Sequence, residues 1–407
     1  MLKKAYDFIV VGGGIIGLTI ARQLRKDFPK SSIAVLEKEK DLGIHASRNN
    51  SGVIHAGFYY TPGSTKAIIS RKGNVYLSEY CVQNKVPFKN TGKLLVPRND
   101  EEYKNMNHFI DVGMKNQVPC KIIDLKEAKE FEPNVACKYD KVFFSPTTSI
   151  ADQHVLIATL EKELTEKQIA ILKSTRYISK ERKNIIVTDK GKLEYKYFIN
   201  CAGQQADLVA KTFGMGKDYD IMPVVGIYLD YKTDKTAPPP FRTLIYPVPM
   251  LEVQFPGAHW CMDTDNALKL GPCFTPVLWR EQYSLFGNIN LKDAAVNMRN
   301  YIWLLLDKNR AFYMKMMVHE FLKFRKSIMI KDVQDMTAFK VDPKLISRGK
   351  PGIMAQLFNN KNHQLMNDFI IENDGESLHI LNAVSPGWTC SFAYAEYVVS
   401  IIQKSLK

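Results

Sequence analysis

The 407-residue chain has no long apolar run. Its longest, such as Phe8–Val11 and Ile302–Leu306, fall far short of the ~20 residues that cross a bilayer, which excludes a membrane-spanning helix. Cysteine is sparse and unpaired in pattern. The thiols at positions 81, 120, 137, 201, 261, 273 and 390 form no Cys-x-x-Cys pair and no Cys/His metal spacing, so reduced thiols in a reducing compartment are expected. Asp263-Thr264-Asp265-Asn266 lacks the glycine and terminal glutamate of a calcium loop, and no metal is expected. Internal repeats, low-complexity segments and an arginine-rich tail are also missing.

Acidic residues are in deficit: 56 Lys plus Arg against 42 Asp plus Glu give a net charge of +14. The basic residues are spread along the chain, with no run denser than Lys323–Lys326, which argues against nucleic acid. A solvated basic surface is the simplest reading; an acidic small substrate or an anionic membrane surface are the others. The 45% apolar and 24% charged composition is that of a globular protein. The length suits two to three units of ~150 residues. Met1-Leu2-Lys3-Lys4 leads into an apolar run that ends at a glycine cluster with a structural job of its own, so a cleaved signal is not expected. The chain reads as cytoplasmic, or peripheral to the inner face of a membrane.

What is present begins at that cluster. Asp7–Val11 is a continuous apolar run suited to a buried parallel strand. It enters Gly12-Gly13-Gly14-Ile15-Ile16-Gly17, then a stretch from Leu18 to Leu24 with helical apolar spacing, then a second strand, Ser32–Leu36, ending at Glu37. This is the dinucleotide fingerprint in its required setting. Gly12 permits the tight turn, Gly14 lets the backbone reach a pyrophosphate, and Gly17 lets helix and strand pack closely. The helix N-terminus at Ile15 and Ile16 offers amides to phosphate, and Glu37 accepts from ribose hydroxyls.

Two later segments separate FAD from NAD. Tyr197–Asn200 is another apolar strand, running into the small-residue turn Cys201-Ala202-Gly203 and a helix-like Gln204–Phe213. Ser385-Pro386-Gly387-Trp388-Thr389 precedes an apolar helix, Ser391–Lys404, and can present backbone amides to an anionic ring. A cofactor touched at all three places is long, and its domain is discontinuous in sequence. FAD fits.

The stretch Ser47-Arg48-Asn49-Asn50-Ser51-Gly52-Val53-Ile54-His55-Ala56-Gly57-Phe58-Tyr59-Tyr60-Thr61-Pro62-Gly63-Ser64-Thr65-Lys66-Ala67 resembles the flavin-contacting loop of the L-2-hydroxyglutarate dehydrogenase/oxidase family, a branch of the D-amino-acid-oxidase-like flavoproteins. Thr91-Gly92-Lys93-Leu94, Ile245–Pro249, Gly257-Ala258-His259, Leu270-Gly271-Pro272, Arg348-Gly349, Ala355-Gln356 and Asn382–Pro386 continue the match in order. The resemblance implies an FAD-dependent oxidoreductase passing a hydride from a 2-hydroxy acid to flavin N5, with oxygen or a quinone as electron acceptor. It implies cofactor contacts from Lys38, Asn50, Ser51, Gly52 and Val53 besides the glycine turns and Thr389. Such chemistry needs a base for the hydroxyl proton, and His55 and His259 stand in matching segments. Tyr60, Lys66, Tyr246, Arg348 and Trp388 are the candidates for substrate contact.

The departures from that family are equally informative. Where its members usually carry arginine, this chain has Val225, Asp263, Met354 and Leu381. Arginine forks hold carboxylates bidentately, so an apolar replacement implies an altered substrate. Cys273-Phe274 and Gly387-Trp388 are bulkier than usual, in the same sense. An amine or amino-acid oxidase with an apolar pocket is the alternative enzyme; a flavin-binding protein without catalysis, or a basic nucleic-acid-binding protein, is the alternative outside enzymes.

The fold expected is α/β: a Rossmann-like FAD-binding domain of glutathione-reductase type, from 1–80, 146–215 and 346–407. An α+β substrate domain on an antiparallel sheet takes 81–145 and 216–345, with strands at Asp218–Tyr231, Leu244–Val248 and Ala258–Met262. Pro238-Pro239-Pro240 marks a loop. Helical spacing from Asn290 to Ile330, interrupted near Asp307–Arg310, predicts two helices. Phe321–Ile330 mixes apolar and basic residues, as a helix with a wet face or a membrane-docking face would.

Overall fold

The protein is described from a computed structural model covering residues 4–233, 239–251, 257–284, 286–306, 310–383 and 385–406. Met1–Lys3, Pro238 of the proline run, 307–309 of the expected helix break, and Val384 lie outside the described residues.

The first strand, Ala5–Val11, pairs in parallel with Ile33–Leu36 on one side and Gly191–Asn200 on the other. Ala170–Leu172 extends the sheet beyond Ile33–Leu36, and Ser377–Asn382 pairs in parallel with the end of Gly191–Asn200. These strands read as unbroken apolar runs because both faces are covered. Alternate residues of the first strand part accordingly: Phe8 and Val10 join one apolar cluster, Ile9 and Val11 another. The first cluster is closed by the helices Ile15–Asp27, Thr65–Gln83 and Gly387–Ser405. The second lies under the antiparallel ribbon Tyr177–Arg182 and Ile185–Thr188.

A larger sheet forms the other half. Its strand order is Gln364–Leu365, Ile346–Asn359, Tyr219–Tyr231, Leu268–Pro276, His259–Met262, Leu244–Pro247, Lys93–Val96, Lys141–Ser145 and Lys121–Asp124. All neighbours are antiparallel except Leu244–Pro247 with Lys93–Val96. A small sheet of Val53–Ile54, Ser149–Ala151 and Phe88–Lys89 joins the two halves. The architecture is the expected α/β one, with a glutathione-reductase-type dinucleotide sheet beside an α+β half.

The structure differs from expectation at four places. Ile346–Asn359, placed by the sequence at the start of the last FAD-binding segment, pairs along its length with Tyr219–Tyr231 in the larger sheet. The C-terminal helix begins at Gly387 rather than Ser391, so its first turn carries Trp388 and Thr389. The 290–330 region holds three helices, Leu291–Leu306, Arg310–Leu322 and Lys326–Gln334. Phe321–Ile330 is therefore not one helix. It breaks at Lys323, which is buried and paired with Glu320 and Asp332 at 2.6 and 3.3 Å.

Candidate active site

The two halves meet at a cavity of about 1060 Å³. The glycine turn opens onto it. Gly12 has φ +115°, and a Cβ there would lie 2.2 Å from the Cys201 carbonyl oxygen; a Cβ on Gly17 would lie 2.0 Å from the Gly12 carbonyl oxygen. Both glycines are thus demanded by backbone contact. At Gly14 a Cβ would meet only Ser47 Oγ, at 3.1 Å, so that glycine leaves room toward the cavity. Gly14, the residue before the helix, supplies no side-chain cap, and Ser47 Oγ accepts from the Ile15 amide at 2.9 Å. The helix's other N-terminal amides are suited to a phosphate.

The carboxylate of Glu37 is buried and accepts from the Gly13 and Glu39 amides, both at 2.9 Å. It therefore fixes the turn that carries the phosphate site. Lys38 pairs with Glu39 and, at 2.8 Å, with Glu281, and lies 3.2 Å from His45 Nε2. Glu39, His45 and Glu281 are metal-ligand types brought together, but the Lys38 ammonium already sits among them.

Gly14, Ile15, Ile16, Asn50, Ser51, Val53, Cys201, Gly203 and Ser385–Thr389 line the cavity. Gly12, Gly17, Glu37, Lys38, Gly52 and Ala202 do not line it and act behind the wall. Gly52, at φ +73°, has the Ala151 carbonyl oxygen 2.8 Å from where its Cβ would be. The Ala202 amide donates to Asn200 Oδ1 at 3.1 Å. Thr389 Oγ1 accepts from the His55 amide at 3.0 Å, which ties the first turn of the last helix to the loop after Ser51.

Both expected histidines reach the cavity. His259 is 2% exposed, stacks on Tyr246 and sets Nδ1 2.8 Å from the Gly257 carbonyl oxygen. Burial drives its pKa down to about 3, with Lys93 and Lys323 adding to the fall against that carbonyl. His55 stands at the wall with Nδ1 3.4 Å from both Lys93 Nζ and the Tyr59 hydroxyl. Its pKa is held well below the ordinary value by burial, then by Lys93 and His259. The two rings are neutral at physiological pH.

Tyr60, Lys66, Tyr246 and Trp388 also line the cavity. Lys66 is buried with Nζ 5.7 Å from the Tyr60 ring centre; burial lowers its pKa while Asp368 opposes the fall. Arg348 does not reach the site. It is exposed on the strand Ile346–Asn359, with its guanidinium 5.7 Å from the Phe324 ring centre, because that ring offers a π face outside the cavity. Of the four positions lacking arginine, Met354 and Leu381 line the cavity, and Val225 is buried with Val277 and Ile353. Asp263 instead closes a hairpin turn, accepting from the Asp265 and Ala267 amides at 3.0 and 2.9 Å. It does not line the cavity.

Lys93 is the residue that sequence reasoning missed. It opens the apolar strand Lys93–Val96, and a lysine at a strand end normally reaches water; here it is 1% exposed. Tyr59 and Tyr228 were also given no role, and both line the cavity.

The residues fit FAD by a second sign. The indole Nε1 of Trp388, in the cavity wall, is buried without a hydrogen-bond partner among the described residues, as a donor awaiting a ligand oxygen would be. A family model described as FAD dependent oxidoreductase (DAO) matches residues 7–401. The chain belongs to that family. FAD is its cofactor, and a small-molecule substrate and a redox partner of the flavin go with it. The chain is 33% identical to the mitochondrial L-2-hydroxyglutarate dehydrogenase of Caenorhabditis elegans, over 97% of this chain and 92% of that protein. The L-2-hydroxyglutarate dehydrogenase of Indibacter alkaliphilus is 32% identical over 95% and 96%. Among solved structures, FAD-bound L-α-glycerophosphate oxidase from Mycoplasma pneumoniae aligns with a TM-score of 0.75 at 20% identity, covering 98% of this chain and 95% of that one. Glycine oxidase from Geobacillus kaustophilus aligns at 0.71 and 15% identity, covering 99% and 95%.

Proposed function

We propose that this FAD-dependent oxidoreductase oxidises a 2-hydroxy acid of the L-2-hydroxyglutarate type, with an uncharged far end in place of the second carboxylate. The relatives named above support the hydroxy acid. The wall made by Met354 and Leu381, with Val225 buried nearby, carries the altered far end. A carboxylate set against that wall without its guanidinium loses about 2–5 kcal/mol.

Bound FAD supplies the hydride acceptor. The chain's own residues do the rest. Lys66 holds the remaining carboxylate, since it sets a buried ammonium in the cavity wall. His259 takes the hydroxyl proton at Nε2, which carries no hydrogen because Nδ1 donates to the Gly257 carbonyl, with the Tyr228 hydroxyl 3.4 Å from that nitrogen. Tyr246 holds the imidazole plane by stacking. Trp388 and Phe274 narrow the cavity around the uncharged end.

The electron acceptor is oxygen or a quinone, and the surface supports the quinone. Among the described residues no helix is long and apolar enough to cross a membrane. Yet the adjoining helices Leu291–Leu306 and Arg310–Leu322 expose Leu291, Met298, Ile302, Leu306, Met314, Val318 and Phe321 beside Lys292, Arg299, Arg310 and Lys315. Apolar and basic side chains mixed in this way suit an anionic membrane surface. These exposed residues favour a docking face on the two helices before Phe321–Ile330, sharing only Phe321 with it. All cysteines are free thiols, in keeping with a reducing compartment.

An anaerobic titration tests the substrate. 2-Hydroxy acids with an uncharged side chain are expected to bleach the flavin band, and L-2-hydroxyglutarate to do so at much higher concentration. Bleaching by amines alone overturns the reading.

A further inference from the structure

The contacts of His55 and His259 put their ring hydrogens on opposite nitrogens, and a buried lysine is the cause. The Gly257 carbonyl oxygen only accepts, so at 2.8 Å His259 Nδ1 carries the hydrogen and Nε2 keeps its lone pair, to which the Tyr228 hydroxyl, 3.4 Å away, can donate. At His55 the neighbour of Nδ1 is the Lys93 Nζ, 3.4 Å away. A charged ammonium has donors and no acceptor, so this contact runs one way: Nζ donates to Nδ1, and the ring hydrogen sits on Nε2. The Tyr59 hydroxyl, also 3.4 Å from Nδ1, can donate in the same sense while accepting from the Tyr60 hydroxyl at 3.3 Å.

The surroundings of Lys93 make this contact matter. Its Nζ lies 4.4 Å from the Tyr246 ring centre, 5.8 Å from that of Phe58 and 5.9 Å from that of Tyr59. Among the described residues no carboxylate forms an ion pair with it. Ring faces and the Nδ1 lone pair are therefore what its charge has in place of a counter-ion. Burial brings its pKa down to about 7. The titratable groups facing His55 are Lys93, Tyr59 and His259; those facing Lys93 are His55, Tyr59, Tyr246 and His259.

We propose that Lys93 is a positioning residue that fixes His55 as its Nε2–H tautomer, so that His55 donates a hydrogen bond to the bound acid's carboxylate while His259 accepts the hydroxyl proton. The carboxylate rests on the 2-hydroxy-acid reading above; the tautomer does not. Holoenzyme labelled with nitrogen-15 histidine, at about pH 6, reports the tautomer directly through long-range proton–nitrogen correlations. The His55 signal, assigned by its loss in His55→Gln, is expected to show hydrogen on Nε2.

Lys93→Met is expected to mix the tautomers and Lys93→Gln, whose amide still donates, to restore the original, with the flavin spectrum reporting an intact fold. In turnover Lys93→Met raises KM about 10- to 100-fold with a smaller change in kcat, as loss of one charged hydrogen bond to a carboxylate present in ground and transition states alike would. It also adds an ionisation in the acid limb, where His55 regains proton affinity. Hydrogen on Nδ1 of His55 in the native enzyme, or a tautomer unchanged in Lys93→Met, overturns the proposal. If the tautomer is as expected and no 2-hydroxy acid reduces the flavin, the substrate reading fails and the Lys93 assignment stands.

Discussion

The rings of Tyr246 and His259 lie 3.6 Å apart between centres and 14° from parallel. Tyr246 belongs to Leu244–Pro247 and His259 to the neighbouring strand His259–Met262, so sheet pairing sets the stack. With Nδ1 held by the Gly257 carbonyl, both orientation and tautomer of the imidazole are fixed before substrate arrives. His259→Gln is expected to slow anaerobic flavin reduction about 10²- to 10⁴-fold, the usual worth of a positioned base. The flavin absorbance of the variant should remain native. Reduction at an unchanged rate would remove His259 from the chemistry.

Gly12 and Gly14 should respond differently to the same substitution. Gly12→Ala puts a methyl against the Cys201 carbonyl oxygen at 2.2 Å and at φ +115°, so it is expected to yield unfolded or flavin-free protein. Gly14→Ala meets only Ser47 Oγ at 3.1 Å. It is expected to fold and to bind FAD more weakly, measured by thermal unfolding with and without added cofactor.

Acid should weaken the fold through buried neutral histidines. His379 is fully buried between Asn200 and Ser377, and burial lowers its pKa from 6.5 to about 4. Its unfolded form gains a proton below the ordinary value while its folded form does not. Stability is therefore complete above 6.5 and falls as pH drops toward about 4, by about 3 kcal/mol from this group. His55 and His259 act in the same direction. His379→Asn should flatten the dependence of Tm on pH over that window.

Arginine restored at Met354 and Leu381 is expected to raise kcat/KM for L-2-hydroxyglutarate, by up to about 10²-fold or more, since a buried carboxylate regains its partner. Asp263→Arg should leave it unchanged, because that side chain caps a hairpin turn away from the cavity. Efficient turnover of L-2-hydroxyglutarate by the unmodified chain would undo the argument from the apolar wall.

The exposed helix pair offers a direct test at membranes. Sedimentation with anionic liposomes is expected to fall as salt rises and to fall further in Leu306→Glu or Phe321→Glu. Turnover with a soluble electron acceptor should be unaffected in both variants. No sedimentation of the native chain would leave the helices without a membrane role.

The sequence by itself determined the cofactor half. The glycines at 12, 14 and 17, the apolar runs around them and Glu37 form a local pattern, because strand, turn and helix lie within a single stretch and each glycine answers a backbone contact. Glu37, whose oxygens go to the Gly13 and Glu39 amides, stands behind the cavity wall with Lys38, Gly52 and Ala202. The sequence also named His55, His259 and Tyr246, but only the tertiary structure joined Lys93 to them. Lys93, His55, Tyr246 and His259 come from segments far apart in the chain and meet because the larger sheet pairs Leu244–Pro247 with both Lys93–Val96 and His259–Met262. The same packing turned Arg348 outward onto Phe324 and drew Asp263 into a turn. Burial is a property of the assembled sheet and not of any segment. A lysine at the start of an apolar strand reads as a surface residue until that sheet closes over it, and its place beside His55 exists only then.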